Sequence, residues 1–334
     1  MATLRDVAKL AGVGAGTVSR FLNESGYVSD DTKLKIQDAM VKLDYTPNEL
    51  ARNLYHHRTG NIAVLVPSVT FPYFARFIEC VEGELYERGF KTMICSTAKQ
   101  QNAEMEYLDM LKRHIVDGVI TGVHTLDDDI YRKIHLPIVA LDRYLGEEIP
   151  VVTSDHKDGG RKAAMVLINS GCHRVMQFRG SQKVKVASPY HERHNEFERV
   201  MKEHGILIEN YNLAWNHHDS PYYKKIAYEV APILKDYDGF FAVDEGAAYV
   251  MSECERLGMK VPDDIQIVSY DGTFITDLTE PRLTSIVQPV EQIAADAADL
   301  IVQRIQGMSF LNKKIVRPVT LKAGGSTISC STEE

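Results

Sequence analysis

The sequence predicts a small all-α domain followed by an α/β body of two similar lobes. Helix-start signals and tight glycine turns fill the first 45 residues, whereas from Asn61 onward apolar runs of strand length alternate with segments of helical periodicity. This alternation occurs twice, and it is typical of parallel sheets that carry helices on both faces. The chain has 334 residues, which is enough for two or three domains.

The charge of the chain is distributed unevenly. The net charge is −8 at pH 7. Residues 1–60 carry eight basic and seven acidic side chains, a net charge of +1, so the remainder of the chain carries −9. A near-neutral first domain on an acidic body permits contact with nucleic acid at the first domain alone.

Cysteine usage and the amino-terminal residues indicate the compartment. The five cysteines are widely spaced and form no C-x-x-C pair, which suits a reducing cytoplasm and argues against a zinc or disulfide framework. The first ten residues include Asp6 and lack an apolar signal core. Since no run of about 18 apolar residues occurs either, we expect a cytoplasmic protein without a membrane partner.

A first helix is predicted from the capping box that Thr3 and Asp6 can form. It runs through about Ala11 and ends at Gly12. Its apolar stripe is predicted to consist of Val7, Leu10 and Ala11.

The next two helices complete a helix-turn-helix unit. The second is predicted over Ala15 to Leu22, and Ser29 caps a third over Asp30 to Leu43. In such a unit the second helix enters the major groove of DNA. Small residues at its start, Ala15 and Gly16, let its backbone approach the base edges. The residues predicted to point inward are Val18, Leu22, Leu34, Ile36, Ala39, Met40 and Leu43.

The motifs "TLRDVAKLAGV", "TVSRFLN", "YVSDDTKLKI" and "AMVKLDYTPNELARNL" closely resemble the DNA-binding region of the lactose/galactose repressor (LacI/GalR) family. The resemblance covers almost every position from Thr3 to Leu54. It implies that Ala15, Gly16 and Arg20 face base edges, where arginine pairs bidentately with guanine. The phosphate contacts that it implies are Thr3, Thr17, Asn23, Tyr27, Ser29 and Thr32. Gly14 departs from the family, which usually has a serine there.

The segment "YTPNELARNL" predicts a short hinge helix. Thr46 can cap it, Pro47 suits its first position, and Glu49 completes a capping box. A helix of about eight residues is unstable alone in water. The resemblance implies that two copies pair through this helix and that Leu54 wedges into the minor groove at a central CG step. The DNA contacts predicted here are Asn48, Ala51 and Leu54; a linker without such a role remains the alternative.

The body is predicted to consist of two Rossmann-like lobes. The first set of strand-like runs is "NIAVLV", "KTMICS", "DGVITGV", "LPIVALD" and "VVTSD", and the second is "HRVMQF", "YNLAWN", "DGFFAVD" and "DIQIVSYD". Helices are predicted near 190–204, 221–235 and 246–257. The family's body is similar to a periplasmic sugar-binding protein, in which the chain crosses between the lobes three times, here near 155–160, 287–290 and 318–320. The domains expected on this basis are 1–45 (headpiece), 46–60 (hinge helix and linker) and 61–334 (body, with one lobe over about 61–157 and 290–318 and the other over about 158–289 and 319–330).

Ligands of such sheets bind at the carboxyl ends of the strands. Polar side chains just past those ends, or on a helix that follows them, are Asp142, Arg143, Arg193, Asp244, Asp271 and Gln288. Carboxylates accept hydrogen bonds from sugar hydroxyls, a guanidinium donates to them, and aromatic rings stack on the apolar face of the sugar. The aromatic candidates are Phe71, Tyr73, Phe74 and Trp215.

The resemblance adds weight to three of these residues. Arg193 in "RHNEF" falls at the arginine of the family's R-x-x-G-F motif, and Asp271 in "YDGT" and Gln288 match further ligand contacts. Val243 departs from the family, because many members carry a polar residue there, often asparagine.

We therefore expect a DNA-binding transcriptional regulator, usually a repressor, of a sugar-utilisation operon. A small carbohydrate or sugar phosphate would bind between the lobes, and a homodimer would read a near-palindromic operator in double-stranded DNA. "SYDGT" and "SPYHERHNEFERVMKEHGI" look most like the branch of sucrose-operon repressors.

The sequence contains no catalytic motif that would indicate an enzyme. There is no G-x-S-x-G, no phosphate-binding P-loop and no metal-ligand cluster, so we expect no catalytic residue, cofactor or metal. Three alternatives remain at this point: a catabolite-control regulator whose DNA binding is set by a phosphorylated carrier protein, an exported sugar-binding protein and a sugar-modifying enzyme.

Overall fold

The computed structural model describes residues 2–23, 25–46, 58–98, 103–123, 125–180, 188–214, 219–308 and 313–328. The chain divides into two units, Met1–Gly60 and Asn61–Glu334. The predicted hinge helix, Pro47 to Leu54, lies outside the described residues. Within those ranges no helix is both long enough and apolar enough to cross a membrane.

The first unit is all-α in its described part, and its helices are α1 (Leu4–Ala11), α2 (Ala15–Leu22) and α3 (Asp30–Lys42). The three predicted helices are confirmed to within one residue. The predicted capping box is present, because Asp6 N–H donates to the Thr3 hydroxyl and Thr3 N–H donates to the Asp6 carboxylate. Gly12 ends α1 in the left-handed conformation with a φ of 67°.

The core of the first unit differs from the predicted one at two leucines. Its buried residues are Val7, Ala8, Val18, Val28, Ile36 and Ala39. Leu10 and Leu34 were expected to point inward, but they are 51% and 66% exposed. With 3.6 residues per turn, Leu34 lies about 200° around the helix from the buried Ile36. The presence of an apolar residue in a short helix is therefore not enough to predict which face of that helix is buried.

The second unit contains two sheets of six strands each among the described residues. Its strands are β1 (Asn61–Val66), β2 (Lys91–Ser96), β3 (Gly118–Thr121), β4 (Ile138–Leu141), β5 (Val151–Ser154), β6 (Arg174–Arg179), β7 (Leu207–Asn212), β8 (Gly239–Val243), β9 (Gln266–Asp271), β10 (Thr284–Val287), β11 (Lys314–Arg317) and β12 (Thr320–Lys322). The first sheet has the order β11-β5-β4-β3-β1-β2 and the second β12-β10-β9-β8-β6-β7. Neighbouring strands are parallel, except that β12 runs antiparallel to β10.

One predicted strand is displaced. The run "YNLAWN" covers 211–216, whereas β7 spans Leu207–Asn212. Since β7 is an edge strand with exposed residues along much of its length, it lacks the apolar run by which a buried parallel strand is recognised. Trp215 lies outside the described residues.

The helices of the second unit are α4 (Pro72–Glu87), α5 (Ala103–Lys112), α6 (Asp128–Arg132), α7 (His156–Asn169), α8 (Tyr190–Glu203), α9 (Ser220–Val230), α10 (Asp244–Arg256) and α11 (Val290–Ile305). The helices predicted near 190–204 and 246–257 are confirmed as α8 and α10. The one predicted near 221–235 ends early, and a 3-10 helix, Ala231–Asp236, follows it. Pro232 has no N–H group to continue the α-helical hydrogen bonding, which explains this end.

Late segments of the chain return to the first sheet. α11 buries Ile293, Ala297 and Ile301 in one core cluster with residues of α4 and the first sheet. β11 pairs with β5 in the first sheet, and β12 then pairs with β10 in the second. The first sheet is thus completed by β11, which comes after the strands β6 to β10 of the second sheet in the chain. The second sheet is completed by β12, which comes after β11. These connections join the two lobes as the predicted α/β body.

The contact between α7 and α8 depends on Gly160. A methyl group at this position would lie 2.1 Å from the carbonyl oxygen of Arg193. Because that neighbour is backbone, it cannot rotate away. A glycine at this position therefore fixes how closely α8, with Arg193 on it, approaches α7.

We expect Gly160→Ala to lower the free energy of unfolding by at least about 2 kcal/mol, because overpacking against backbone forces the helices apart. Gly83→Ala is the matched control, since Gly83 is also helical but exposed, with open space around it. That control should raise the free energy of unfolding by about 0.5–1 kcal/mol through helix propensity. Urea denaturation of the two variants measures both values, and equal stabilities would contradict the assigned contact.

Candidate functional site

The exposed side of α2 carries the residues predicted to read bases. Ala15 and Gly16 are exposed in its first turn, and Arg20 is exposed one turn later, whereas Val18 is buried on the opposite side. Gly14 caps the helix without a side-chain hydrogen bond. The amino end of α2 therefore presents backbone and small side chains to solvent, with a single guanidinium next to them.

Three predicted phosphate contacts also define helix ends. The Thr3 hydroxyl belongs to the capping box of α1. The Ser29 hydroxyl accepts from Thr32 N–H and lies 2.8 Å from the Thr32 hydroxyl at the start of α3. These groups are held at fixed positions on the surface of the unit, as contacts that set an orientation on DNA must be.

Of the other predicted phosphate contacts, Thr17 and Asn23 are half-buried, and Tyr27 is 89% exposed. Sequence reasoning overlooked Gly26, whose added methyl group would lie 3.3 Å from Arg20 Cδ. The Arg20 stem thus passes close to the Gly26 backbone. The predicted contacts Asn48, Ala51 and Leu54 lie outside the described residues.

A second cluster of polar residues lies at the carboxyl ends of strands in the body. Asp271 ends β9 and Gln288 follows β10, and Gln288 Nε2 donates to Asp271 Oδ1 over 2.8 Å. Ser154, at the end of β5 in the first sheet, donates its hydroxyl to Gln288 Oε1 over 2.8 Å. This chain of hydrogen bonds joins the two sheets, so their carboxyl ends face the same space.

Arg193 on α8 belongs to this cluster. Its Nη1 lies 3.8 Å from Asp271 Oδ1, and its guanidinium lies 4.5 Å from the centre of the Tyr270 ring. Its Nε donates to His194 Nε2 over 3.3 Å. Within the described part of the chain, the Arg193 Nη groups have no hydrogen-bond acceptor, so they remain available as donors.

Asp142 of the first lobe also belongs to the cluster. It follows β4 with a φ of 52°, and its Oδ1 accepts from the Thr153 hydroxyl over 2.5 Å. The same oxygen lies 2.9 Å from His156 Nε2. The Ser188 hydroxyl, from the segment before α8, donates to the Asp142 carbonyl oxygen.

Three of the four predicted aromatic residues, Phe71, Tyr73 and Phe74, lie in the same region; the fourth, Trp215, is outside the described residues. Tyr73 packs edge-on against Phe74, with ring centres 5.3 Å apart, and Phe71 stacks on Tyr223 at 6.3 Å. Burial raises the pKa of Tyr73, and the negative charges of Asp142 and Asp271 raise it further. The Tyr73 hydroxyl is buried and has no hydrogen-bond partner among the described residues. A buried hydroxyl in that situation is a strong candidate for contact with a ligand.

Arg143 does not join the cluster, which corrects its prediction as a ligand contact. Its side chain is fully buried in the first lobe, where it bonds to Asp128 at 2.8 Å and to Glu104 at 3.3 Å. It also donates to the carbonyl oxygens of Val123 and Leu126. Its donors hold the loop after β3, because a buried guanidinium must be paired.

Asp244 is corrected in the same way. It is the first residue of α10, and its Oδ1 accepts from the Ser269 and Ser285 hydroxyls over 2.6 and 2.9 Å. Its Oδ2 accepts from Thr273 N–H and the Thr273 hydroxyl over 2.6 and 2.8 Å. Burial raises the pKa of Asp244, and these four bonds oppose the rise. The carboxyl group ties α10 to β9 and β10 instead of facing the space between the lobes.

Sequence reasoning missed four members of the cluster, namely Ser154, His156, Tyr223 and Tyr270. Tyr270 immediately precedes Asp271. His156 lies within the first predicted crossing of the chain, near 155–160, two residues after the end of β5. A search that took residues flanking each strand end, and not only charged ones past it, would have included both. Tyr223 is on α9, and no sequence signal links that helix to the site.

The cluster contains both hydrogen-bond donors and hydrogen-bond acceptors, and some of these groups carry charge. Burial raises the pKa of Asp271, whereas the positive charge of Arg193 opposes that rise. Two carboxylates, one guanidinium and a tyrosine hydroxyl face one space next to aromatic rings. Convergent polar groups beside an apolar wall are typical of sites for small, hydroxyl-rich ligands.

His194 holds Arg193 from behind. Because a guanidinium only donates, His194 Nε2 must accept, so its Nδ1–H donates to Gln177 Oε1, 3.0 Å away. Burial, reinforced by the charges of Arg193 and Arg179, lowers the pKa of His194 well below its usual value. The ring is therefore neutral and fixed in one tautomer.

The described residues contain no group of three or more His, Cys, Asp or Glu side chains placed to hold a metal ion.

Comparison with known proteins identifies both parts of the chain. Residues 3–48 match the model for "Bacterial regulatory proteins, lacI family", and residues 164–327 match the model for a periplasmic binding protein-like domain. The sucrose operon repressor of Streptococcus mutans is 35% identical over 98% of this chain and 99% of its own length. The ribose operon repressor of Halalkalibacterium halodurans is 34% identical over 92% of this chain and 91% of its own.

Among solved structures, a complex of the transcriptional regulator CelR with cellobiose is similar to this chain. It has a TM-score of 0.69 and 28% identity, and the alignment covers 98% of this chain and 100% of that one.

We expect the free energy of unfolding to fall on acidification below about pH 6.5, where unfolded histidine becomes protonated. Burial lowers the pKa of His191 to about 4, and that of His194 lies well below its usual value. Between about pH 6.5 and 4.5 the unfolded chain therefore takes up protons that the folded chain does not. Each histidine contributes a slope of up to about 1.4 kcal/mol per pH unit.

Urea denaturation at pH 7.0 and 5.5 measures this dependence. His194→Gln should show a smaller loss of stability than the native chain, whereas His173→Gln, which replaces an exposed histidine, should not differ from it. An equal loss in native and His194→Gln proteins would contradict the assignment of a neutral buried ring.

Proposed function

Because the chain belongs to the LacI family of bacterial regulatory proteins, we propose that it binds operator DNA as a homodimer under the control of a small carbohydrate held between its lobes. The family consists of transcriptional regulators, so the chain is a DNA-binding regulator and not an enzyme. The finer parts of the proposal concern its residues, its ligand and its assembly.

One observation carries the ligand part of the proposal. Asp142 of the first lobe and Arg193, Asp271 and Gln288 of the second converge on one space, and the Tyr73 hydroxyl is buried there without a partner. Sugars offer many hydroxyl groups that both donate and accept, so carboxylates and a guanidinium bind them together. Phe71 and Phe74 supply the apolar wall on which a sugar ring packs.

The named relatives support a carbohydrate as the ligand class. They are repressors of sucrose and ribose operons, and the CelR structure is a cellobiose complex. We propose a free sugar or a sugar phosphate for this chain and place its operon among those for sugar use. Trp215 is retained as a candidate contact on its sequence position alone.

The headpiece is proposed to read DNA with α2. Ala15 and Gly16 let the helix approach base edges, and Arg20 pairs with a guanine. Phosphate contacts are assigned to the surface groups named above, Thr3, Thr17, Asn23, Tyr27, Ser29 and Thr32. Asn48, Ala51 and Leu54 stay predictions from the resemblance, with Leu54 as the minor-groove wedge.

Exposed apolar residues on the body support the homodimer. Phe274 and Leu278 of the second lobe are 64% and 74% exposed, and Tyr86 and Ile94 of the first are 72% and 51% exposed. A second subunit that covers an apolar patch would bury such side chains, so these four residues are our candidates for the subunit contact. A symmetric dimer matches the near-palindromic operator that we propose, and both belong in the cytoplasm, where operator DNA is found.

Control then follows from the connection between the lobes. A ligand that binds both lobes stabilises one arrangement of the two, and the hinge segment transmits the change to the headpieces. A coupling free energy of about 1–3 kcal/mol alters operator affinity by about 5- to 150-fold.

Arg20→Ala should lower operator affinity by about 5- to 150-fold, because one bidentate arginine–guanine contact contributes about 1–3 kcal/mol. Fluorescence anisotropy with a near-palindromic duplex, selected from random DNA by the native protein, measures the affinity. Lys42→Ala is the control, since Lys42 is a cation exposed at the far end of α3 and paired with Asp38. A loss for Lys42→Ala as large as for Arg20→Ala would mean that general charge, and not base recognition, is being measured.

Arg193→Ala should remove the stabilisation of the body by sugar. Scanning fluorimetry against sucrose, D-fructose, D-ribose, cellobiose and their phosphates is the test, and a ligand at 100 times its Kd stabilises the native protein by about 2.7 kcal/mol. Arg199→Ala is the matched control, because Arg199 lies on the same helix with its side chain 51% exposed. A native chain that responds to none of these sugars, or an Arg193→Ala variant that responds normally, would refute the ligand assignment.

A further inference from the structure

His156 lies between the two lobes and contacts both. It is the first residue of α7, directly after the chain leaves β5, and it is 1% exposed. Its Nε2 lies 2.9 Å from Asp142 Oδ1, past the end of β4 in the first sheet. Its Nδ1 lies 2.9 Å from the hydroxyl of Tyr270, in β9 of the second sheet. Both ring nitrogens are therefore used, one towards each lobe.

The chemistry of the partners assigns the protons. A carboxylate accepts only, so Nε2–H donates to Asp142. In the tautomer that carries its proton on Nε2, the Nδ1 lone pair accepts from the Tyr270 hydroxyl. The hydroxyl is thereby engaged by His156, whereas the face of its ring lies against the Arg193 guanidinium at 4.5 Å.

Further contacts hold both partners in place. Asp142 has a φ of 52°, a left-handed conformation that aspartate adopts more readily than most non-glycine residues. Thr153 and His156 both bond to the same oxygen of its carboxylate and so fix the position of the side chain. On the other side, a methyl group at Gly159 would lie 2.6 Å from the Tyr270 hydroxyl. Only glycine in the first turn of α7 lets that hydroxyl reach His156.

We propose that His156 is a positioning residue of the ligand site: by bonding to Asp142 and to Tyr270 it orders one ligand-binding group of each lobe, the Asp142 carboxylate and the Arg193 guanidinium, at the same time. This inference rests on the proposed function of the site. It predicts that the ligand-binding groups of the two lobes are coupled through one imidazole ring. Loss of His156 therefore weakens contacts to a ligand that His156 itself does not touch.

The binding test uses sucrose, D-fructose and D-ribose in separate calorimetric titrations of the full chain. His156→Leu should lower the affinity for whichever of these sugars the native protein binds by about tenfold or more, because a buried carboxylate and hydroxyl each lose a partner. Tyr270→Phe, which keeps the ring but removes the hydroxyl, should also lower it. The double variant should lose less than the two losses combined, since the two residues act as one unit.

Two further variants separate positioning from general packing. His156→Gln offers one donor and one acceptor and should restore part of the affinity lost in His156→Leu. His204→Leu replaces the histidine at the C-cap of α8, whose Nδ1 bonds to the Val200 carbonyl oxygen, and should leave the affinity unchanged. If Gln restores nothing, or if His204→Leu loses as much as His156→Leu, the ring acts by packing and the proposal is wrong.

A measurement on the free protein makes the test independent of the ligand. In protein labelled with 15N-histidine, the resonances of His156, identified by their loss in His156→Gln, should report a proton on Nε2 and none on Nδ1. Tyr270→Phe should shift the Nδ1 resonance. A neutral ring with its proton on Nδ1, or no shift in Tyr270→Phe, would overturn the inference.

The two sets of results also separate the inference from the function on which it rests. A native protein that binds none of the three sugars but shows the expected His156 resonances would refute these ligands and leave the interlobe contact standing. A native protein that binds one of them as tightly as His156→Leu does would refute the positioning role alone.

Discussion

The hydrogen-bonded chain from Ser154 through Gln288 to Asp271 joins the two sheets of the body, and the arrangement of the polar cluster depends on it. Each of these residues stands at the carboxyl end of a strand, and parallel strands bring such ends to one edge of a sheet. Two sheets with facing edges enclose a polar space that neither could form alone. Ser154, Gln288 and Asp271 satisfy one another across the lobes, whereas the buried Tyr73 hydroxyl has no hydrogen-bond partner among the described residues.

Further hydrogen bonds support the proposed ligand site from behind. Arg193 is held at Nε by His194, which is held by Gln177, while its outer nitrogens have no acceptor among the described residues. A guanidinium fixed in this way loses little conformational entropy on binding. Gly160 belongs to the same support, because the backbone of Arg193 could not approach α7 past a larger side chain. Stability and recognition are thus linked at the contact of these two helices.

In the first unit, hydroxyl and carboxylate side chains have a different role from the one they have in the body. Its hydroxyl and carboxylate side chains, such as Thr3, Asp6 and Ser29, set helix ends close to the surface. Its small core orients α2, so that small residues and one arginine remain outside. A short helix that presents little of its own side chain is suited to a rigid partner with a readable groove, as DNA is.

Local signals determined the elements of this protein: the capping box at Thr3, the glycine end of α1 at Gly12, and the apolar runs that became buried parallel strands. Each is a property of a few adjacent residues, and so the sequence alone defines it. The sequence did not correctly predict the position of the edge strand β7 or the exposure of Leu34, because burial depends on neighbours distant in the chain. Tertiary structure alone decided the site. Asp142 and Arg143 are adjacent and both charged, yet the left-handed turn at Asp142 directs one towards the cluster and the other into the first lobe. His156 entered the site because packing brought Asp142 and Tyr270 within hydrogen-bond reach of the same ring, and no pattern of neighbouring residues encodes that distance.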